Sequence, residues 1–163
     1  MAATLVLESH SEAQTEALAA ALAGMVDAPL VIALSGDLGA GKTAFSRGFV
    51  QAMLGERVVV SSPTFAIMQS YVGGAWPVYH FDLYRLAGPE ELEAIGADEA
   101  LFEPDGVALV EWASLAGDWL PQDRLDVMLE ITADGLGRRV LFRAAGLVTT
   151  QLLHRFRQEY HAG

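Results

Sequence analysis

The feature that most constrains the fold is a glycine-rich turn directly after a continuous apolar run. Residues Leu30 to Leu34 are all apolar, as a strand buried on both faces of a sheet requires. The segment that follows, Gly36 to Thr43, reads GDLGAGKT and leads into a helical stretch from Lys42 to about Leu54. A strand joined to a helix by this pattern is typical of a phosphate-binding loop, the P-loop.

Each residue type in this loop suits the binding of phosphate. Glycines let the backbone turn tightly, so that successive N–H groups point at a phosphate chain beside the partly positive helix N-terminus. Lys42, the only lysine in the chain, supplies a charge for the β- and γ-phosphates, and the Thr43 hydroxyl is a hard oxygen ligand suited to Mg²⁺. The predicted phosphate-binding residues are Gly36, Asp37, Leu38, Gly39, Ala40, Gly41, Lys42 and Thr43.

Two carboxylates are candidates for completing a magnesium site, usually found at the end of a neighbouring hydrophobic strand. Asp82 ends the run from Val78 to Phe81, and Glu111 ends the run from Val107 to Val110. Each can hold the metal directly, hold it through water or orient an attacking water, and the sequence leaves the choice open. His80 has aromatic flanks, which favours packing within a strand over catalysis.

Two more residues are candidates for contact with the terminal phosphate. Thr64 lies in a Ser-Ser-Pro-Thr segment and matches the switch threonines of nucleotide hydrolases. Arg85 either stabilises charge in the transition state or pairs with the acidic stretch from Glu90 to Glu93.

Strand and helix signals alternate along most of the chain. Runs rich in β-forming residues, from Val58 to Val60 among others, are separated by helical stretches, which predicts an α/β fold with a mostly parallel sheet flanked by helices. Apolar residues alternate with polar or flexible ones from Leu125 to Ile131, and a turn at Asp134 to Gly137 leads into a second run from Val140 to Ala144. This pattern predicts an added C-terminal antiparallel hairpin at the sheet edge. With neither an internal repeat nor a linker, residues 1–163 are expected to form a single P-loop ATPase domain.

Composition limits the partners. A net charge of −11 repels polyphosphate, so stable independent nucleic-acid binding is not expected and any nucleic-acid role passes through a partner. No apolar run approaches the about 20 residues needed to cross a bilayer. No lysine or arginine precedes Lys42, so a basic targeting segment is not expected, and the cytoplasm is the expected location.

The asparagine, lysine and arginine content also favours some classes of nucleotide-binding protein over others. GTPases that read guanine with Asn-Lys-x-Asp are disfavoured, because the chain has no asparagine and no second lysine. Between Arg57 and Arg124 the only arginine or lysine is Arg85, too few for the arginine-bearing lid of most small-molecule kinases. A hydrolase of ATP is favoured, while a small-molecule or nucleoside kinase and a nucleotide-sensing interaction module remain alternatives.

Several short motifs follow one another along the chain. They are Gly36–Thr43 with Phe45–Gly48, Ser62–Phe65, His80–Arg85, Pro89–Leu92 and Glu111–Trp112. Together, and in this order, they resemble the TsaE (YjeE) family, bacterial ATPases of tRNA threonylcarbamoyladenosine synthesis. The match spans about Pro29 to Glu130, and the His-to-Arg hexapeptide and the Glu-Trp pair are more specific than the P-loop alone.

The resemblance implies a P-loop fold with added antiparallel strands, and ATP hydrolysis coupled to the TsaB-TsaD complex. That complex modifies the adenosine beside the tRNA anticodon, so tRNA would be met indirectly through partners. By the same resemblance Lys42 contacts phosphate, Thr43 and Glu111 hold Mg²⁺, and Asp82 acts near the γ-phosphate or its water.

Three further residues are implied by the resemblance. Thr64 is a switch-like contact, and Trp112 is similar to a family tryptophan important for activity. Ser11 lies near the adenine in the family, although its position as a helix N-cap needs no such role.

Overall fold

The computed structural model describes residues 3–37, 39–60, 68–88 and 90–162, without the side chains of residues 117, 161 and 162. The strands are β1 Ala3–Ser9, β2 Leu30–Ser35, β3 Met68–Tyr71, β4 Val78–Asp82, β5 Val107–Glu111, β6 Leu125–Ile131 and β7 Arg138–Ala144. The helices are α1 Glu12–Ala23, α2 Lys42–Leu54, α3 Glu90–Ala94, α4 Ala97–Phe102, a 3-10 helix Ala113–Trp119 and α5 Leu147–Ala162.

All seven strands form one sheet in the order β1-β7-β6-β2-β5-β4-β3. The central strands β6, β2, β5 and β4 run parallel, and β3, β7 and β1 pair antiparallel beside them. The predicted α/β fold, with a sheet flanked by helices and an added hairpin, is confirmed. The hairpin lies inside the sheet, however, because β6 pairs with β2 while β7 pairs with the edge strand β1.

The strand expected near Val58 to Val60 is not formed. Val58 instead donates its N–H to the carbonyl of Gly55, and its own carbonyl accepts a hydrogen bond from Gln51, so the segment is a turn that closes helix α2. Val59 is 82% exposed, which no buried strand would allow. The strand beyond β4 is β3, which the sequence analysis missed.

Helices cover both faces of the parallel centre, which explains its nearly continuous apolar strands. On one face Leu30, Ile32 and Leu34 of β2 pack with apolar residues of α1, α2 and α5. On the other face Val31 and Ala33 pack with residues of α3, α4 and the 3-10 helix. Among the described residues, no helix is both long and apolar enough to span a bilayer. Because β2, β5 and β4 are parallel neighbours, their carboxyl ends lie together at one end of the sheet, beside the start of α2.

Candidate nucleotide-binding site

The glycine-rich segment between β2 and α2 needs glycine for two physical reasons. Gly36, Gly39 and Gly41 all have positive φ, at 141°, 80° and 110°, a backbone region that other residues rarely adopt. A Cβ on Gly36 would also lie 2.4 Å from the carbonyl oxygen of Leu129 on β6. Gly41 begins α2 with no side-chain cap, which suits a helix N-terminus that binds an anion.

Lys42 is the cation at the floor of this loop. Its Nζ donates hydrogen bonds to the carbonyl oxygens of Gly36 at 2.5 Å and Asp37 at 2.9 Å. The same nitrogen lies 4.1 Å from the centroid of the Trp112 ring, within cation–π range. The side chain is thus held by its own loop on one side and by an aromatic face on the other.

Burial dominates the electrostatics of Lys42, which is only 6% exposed. Desolvation lowers the pKa of its ammonium below the ordinary value, and the nearby carboxylates of Glu111, Asp37 and Asp82 offset part of that shift. A bound polyphosphate would add negative charge next to this ammonium and so favour its charged form.

The two predicted carboxylates lie side by side at the end of the sheet. Asp82 and Glu111 are register partners on the parallel strands β4 and β5, at the carboxyl end that also leads from β2 into the loop. Asp82 is half-buried, and its Oδ1 accepts a hydrogen bond of 3.0 Å from the backbone N–H of Tyr84. Glu111 is 2% exposed. Both predicted positions at strand ends therefore reach the same site.

The Glu111 carboxylate has two hydrogen-bonding partners among the residues that the structure describes. Its Oε2 accepts from Nε2 of His80, and the hydroxyl of Ser46 donates to the same oxygen over 3.4 Å. His80 is fully buried in β4, as its aromatic flanks predicted. Its contact with Glu111 went unpredicted, because only the strand register shows that the two side chains lie diagonally on one face.

Trp112 has an unusual backbone. It has a φ of 57°, the one positive value among the described non-glycine residues, and it is the N-cap residue directly before the 3-10 helix. This turn brings its ring within 5.0 Å of the Tyr84 ring, centroid to centroid, as well as over Lys42. A non-glycine residue in this region is strained, and such strain is found preferentially at functional sites.

These residues surround a cavity of about 600 Å³. It brings together, from the predicted set, Ser11, Gly39, Gly41, Lys42, Thr43, Asp82, Glu111 and Trp112. The lining residues that sequence reasoning missed are Ser9, Glu12, Thr15, Ala44, Arg47, Tyr84, Gly135, Leu136, Gly137 and Arg138. Tyr84 had a sequence signal, because it lies two residues after Asp82, and Ala44 and Arg47 follow the P-loop directly on α2. The others come from the end of β1, from α1 and from the β6–β7 turn with the start of β7, which only the fold brings here.

Part of the cavity lining comes from the start of α1 and from the β6–β7 turn. Ser11 caps α1, accepting a hydrogen bond of 3.0 Å from the N–H of Gln14, as the sequence predicted. Arg138 of the turn donates to the carbonyl of Gly39 over 3.0 Å and so ties the hairpin to the P-loop. Arg47 of α2 forms an ion pair with Glu12 at 2.9 Å.

Some predicted residues are not brought to the cavity. Arg85 is exposed, lies outside the lining and, among the described residues, forms no ion pair with the acidic stretch Glu90–Glu93. Ala40 is buried behind the loop. Thr64 and Leu38 lie outside the described residues.

The donors at this end of the sheet fit magnesium better than a metal held by protein alone. No group of three or more His, Cys, Asp or Glu side chains placed to hold a metal occurs among residues 3–37, 39–60, 68–88 and 90–162. The Thr43 hydroxyl and the carboxylates of Asp82 and Glu111 are among the oxygen groups that line the cavity beside the P-loop. Mg²⁺ is usually bound by one or two carboxylates, water and the phosphates of a substrate, which is the set this cavity can supply with a nucleotide.

A sequence profile and individual relatives point to the same protein family. The sequence profile described as "Threonylcarbamoyl adenosine biosynthesis protein TsaE" matches residues 9–140. The tRNA threonylcarbamoyladenosine biosynthesis protein TsaE of Bacillus subtilis is 43% identical over 133 residues, covering 82% of this chain and 81% of the relative. The protein of the same name from Rickettsia conorii is 39% identical over 121 residues, covering 74% and 68%.

A solved structure agrees with the sequence relatives. The crystal structure of YdiB from Bacillus subtilis superposes with a TM-score of 0.80 at 34% identity, covering 98% of this chain and 97% of that one. The profile spans most of the chain, including the P-loop and both carboxylates. The resemblance seen in the motifs is therefore confirmed, and the chain belongs to the TsaE family.

Proposed function

We propose that residues 1–163 act as one magnesium-dependent ATPase domain in the synthesis of threonylcarbamoyladenosine in tRNA, working with a TsaB-TsaD complex in the cytoplasm. The observation that carries the proposal is the cavity in which Lys42 of a P-loop faces the register-paired carboxylates of Asp82 and Glu111. The names of the curated relatives support the pathway.

The proposed roles follow from where each group lies. The loop from Gly36 to Thr43 holds the phosphate chain with its N–H groups, and Lys42 neutralises charge on the β- and γ-phosphates. Asp82, half-buried and open to the cavity, orients the attacking water or accepts its proton. Thr64 and Arg85 are proposed as contacts of the terminal phosphate from the sequence motifs alone.

Magnesium is proposed as the cofactor, held by the Thr43 hydroxyl and Glu111, with Asp82 directly or through water. When bound, it would neutralise charge on the β- and γ-phosphates. Glu111 suits a ligand role because it is buried and held on one oxygen, whereas Asp82 is more accessible. Burial of the Glu111 carboxylate next to Lys42 is favourable only when cations or hydrogen-bond donors replace the contacts with water that burial removes.

The nucleotide base is proposed to lie on the other side of the cavity, near Ser11. Since Asp82 and Glu111 are the proposed metal ligands, the lining left for the base is that from the start of α1 and the β6–β7 turn. ATP is favoured over GTP, because the chain has no asparagine for a guanine-reading Asn-Lys-x-Asp element.

Hydrolysis is proposed to be slow in the isolated chain and faster with the partner complex. Tyr84 is 54% exposed at the wall of the cavity next to Asp82, so the reacting end is not sealed from water by this chain's described residues. A partner surface that covers this end would exclude water and align Asp82. The charge of −11 supports contact with tRNA through that partner and not directly.

The test is release of phosphate from ATP by the pure chain, alone and with TsaB-TsaD and tRNA. The proposal expects low turnover alone and a clear rise with the partners. Transfer of the phosphate to a metabolite would show a kinase instead. Full-speed hydrolysis that the partners leave unchanged would contradict the coupling, and nucleotide retention without turnover under every condition would show a sensing module.

A further inference from the structure

The Glu111 carboxylate is held from one side only. Glu111 ends β5 on the sheet face that packs against α2, and the two hydrogen bonds that its carboxylate accepts from described residues, from His80 and Ser46, both end on Oε2. Neither bond uses Oε1, while Glu111 lines the cavity. Oε1 is therefore the oxygen that can serve a ligand.

The geometry of His80 matches the task of holding this carboxylate. Because an ionised carboxylate only accepts hydrogen bonds, the bond requires a proton on Nε2 of the ring. Nδ1 is fully buried and has no hydrogen-bonding partner among the described residues. An unpaired buried polar atom is unfavourable, and an apolar side chain would fill this position without that loss. The ring is thus placed at a cost to folding, and Glu111 is its one hydrogen-bonding partner in the part of the chain that the structure describes.

Ser46 supplies a second donor from the opposite element. It is fully buried and lies one helical turn after Lys42 on α2, on the side that faces the sheet. Its hydroxyl donates to the oxygen that His80 also holds. Two donors on β4 and α2 therefore fix one carboxylate on β5, beside the P-loop.

We propose that His80, assisted by Ser46, is a positioning residue that fixes the rotation of the Glu111 carboxylate, so that Oε1 is presented to the magnesium ion of a bound nucleotide. This inference rests on the proposed function, because it assigns the support of the proposed metal site. Residues that orient a metal ligand typically change metal affinity by about 10- to 100-fold when they are replaced.

The test compares two amides of different reach. The side-chain nitrogen of His80→Gln can lie where Nε2 lies and restore the donor, whereas that of His80→Asn corresponds to Nδ1 and falls short of Glu111. Ser46→Ala removes the second donor. Tyr71→Phe is the matched control, because it removes a buried hydroxyl that has no hydrogen-bonding partner in the described part of the chain and lies outside the cavity lining.

The measurement is calorimetric binding of a non-hydrolysable ATP analogue, with EDTA and across a magnesium series, with circular dichroism to confirm folding. His80→Asn is expected to weaken magnesium binding to the nucleotide complex by about 10- to 100-fold, with affinity in EDTA unchanged. His80→Gln and Tyr71→Phe are expected to behave like the wild type. Ser46→Ala should lie between them.

Wild-type magnesium affinity in both His80→Asn and Ser46→Ala would overturn the inference, as would an equal loss in His80→Gln and His80→Asn. If His80→Asn does not fold, Ser46→Ala decides: a weakened magnesium response supports the inference and an unchanged one overturns it. A wild type that binds the analogue equally well with and without magnesium would refute the proposed metal site itself, and the inference with it.

Discussion

The ammonium nitrogen of Lys42 lies 4.1 Å from the centroid of the Trp112 ring, so the cation of the P-loop contacts the residue that follows Glu111. Two of the three ammonium donors are taken by the carbonyls of Gly36 and Asp37. A phosphate entering the cavity thus meets a lysine already fixed in place. Little side-chain entropy is then lost on binding.

Replacing Lys42 by alanine is expected to abolish tight nucleotide binding and leave the fold intact. The loss should be about 2–5 kcal/mol, the range for truncating one partner of a buried charge pair. Calorimetric titration with an ATP analogue and magnesium measures it. Arg57→Ala, which removes an exposed cation outside the cavity, is the control and should bind as the wild type does. Unchanged affinity in Lys42→Ala would refute the site.

The buried ammonium also predicts a pH dependence. Because the folded-state pKa of Lys42 is lowered, the unfolded chain binds more protons between that pKa and 10.5. The unfolding free energy of the wild type should therefore rise relative to Lys42→Met as pH increases through this window, and the difference should be constant below it. Urea unfolding of both proteins between pH 8 and pH 10.5 provides the measurement. A difference that is flat or falls would contradict the desolvation of Lys42.

Asp82→Asn is expected to lower partner-stimulated ATP turnover by about 100-fold or more, because an amide cannot accept a proton from water. Stability should change little, since the residue is half-buried and an asparagine oxygen can still accept from the N–H of Tyr84. The control is Asp105→Asn, which removes an exposed carboxylate that accepts from the Tyr79 hydroxyl and lies outside the cavity lining. Equal turnover in the two variants would remove Asp82 from the mechanism.

The contact between α1 and α2 depends on Gly48. A Cβ there would lie 2.3 Å from the carbonyl oxygen of Glu16, so Gly48→Ala is expected to destabilise the protein by about 1–3 kcal/mol through overpacking. At Gly24 the nearest atom would be 3.6 Å away. Gly24→Ala should therefore be neutral or stabilising by up to about 1 kcal/mol. Thermal unfolding of the pair checks this, and equal midpoints would contradict the close packing of the two helices.

The parts of the site that sequence could predict are local or follow from strand ends. The P-loop is contiguous, so its pattern from Gly36 to Thr43 carries the turn, the cation and the helix start together. Asp82 and Glu111 were predictable because the carboxyl ends of parallel strands meet at one edge of a sheet.

The parts that sequence could not predict depend on which strands pair. The β6–β7 turn reaches the P-loop, through Arg138 and Gly39, only because β6 pairs with β2. The bond between His80 and Glu111 likewise needs the register of β4 against β5. The alternation of apolar and polar residues indicated the hairpin but not which strands pair with it. The prediction that the hairpin lies at the sheet edge was therefore wrong.

The most direct test of the central claim is a crystal structure with magnesium and a non-hydrolysable ATP analogue. We expect the β-phosphate to lie within the loop from Gly36 to Thr43, contacted by the ammonium of Lys42. We also expect a magnesium ion beside Thr43, on the side of Asp82 and Glu111. An analogue bound elsewhere, with the loop empty, would refute the nucleotide site.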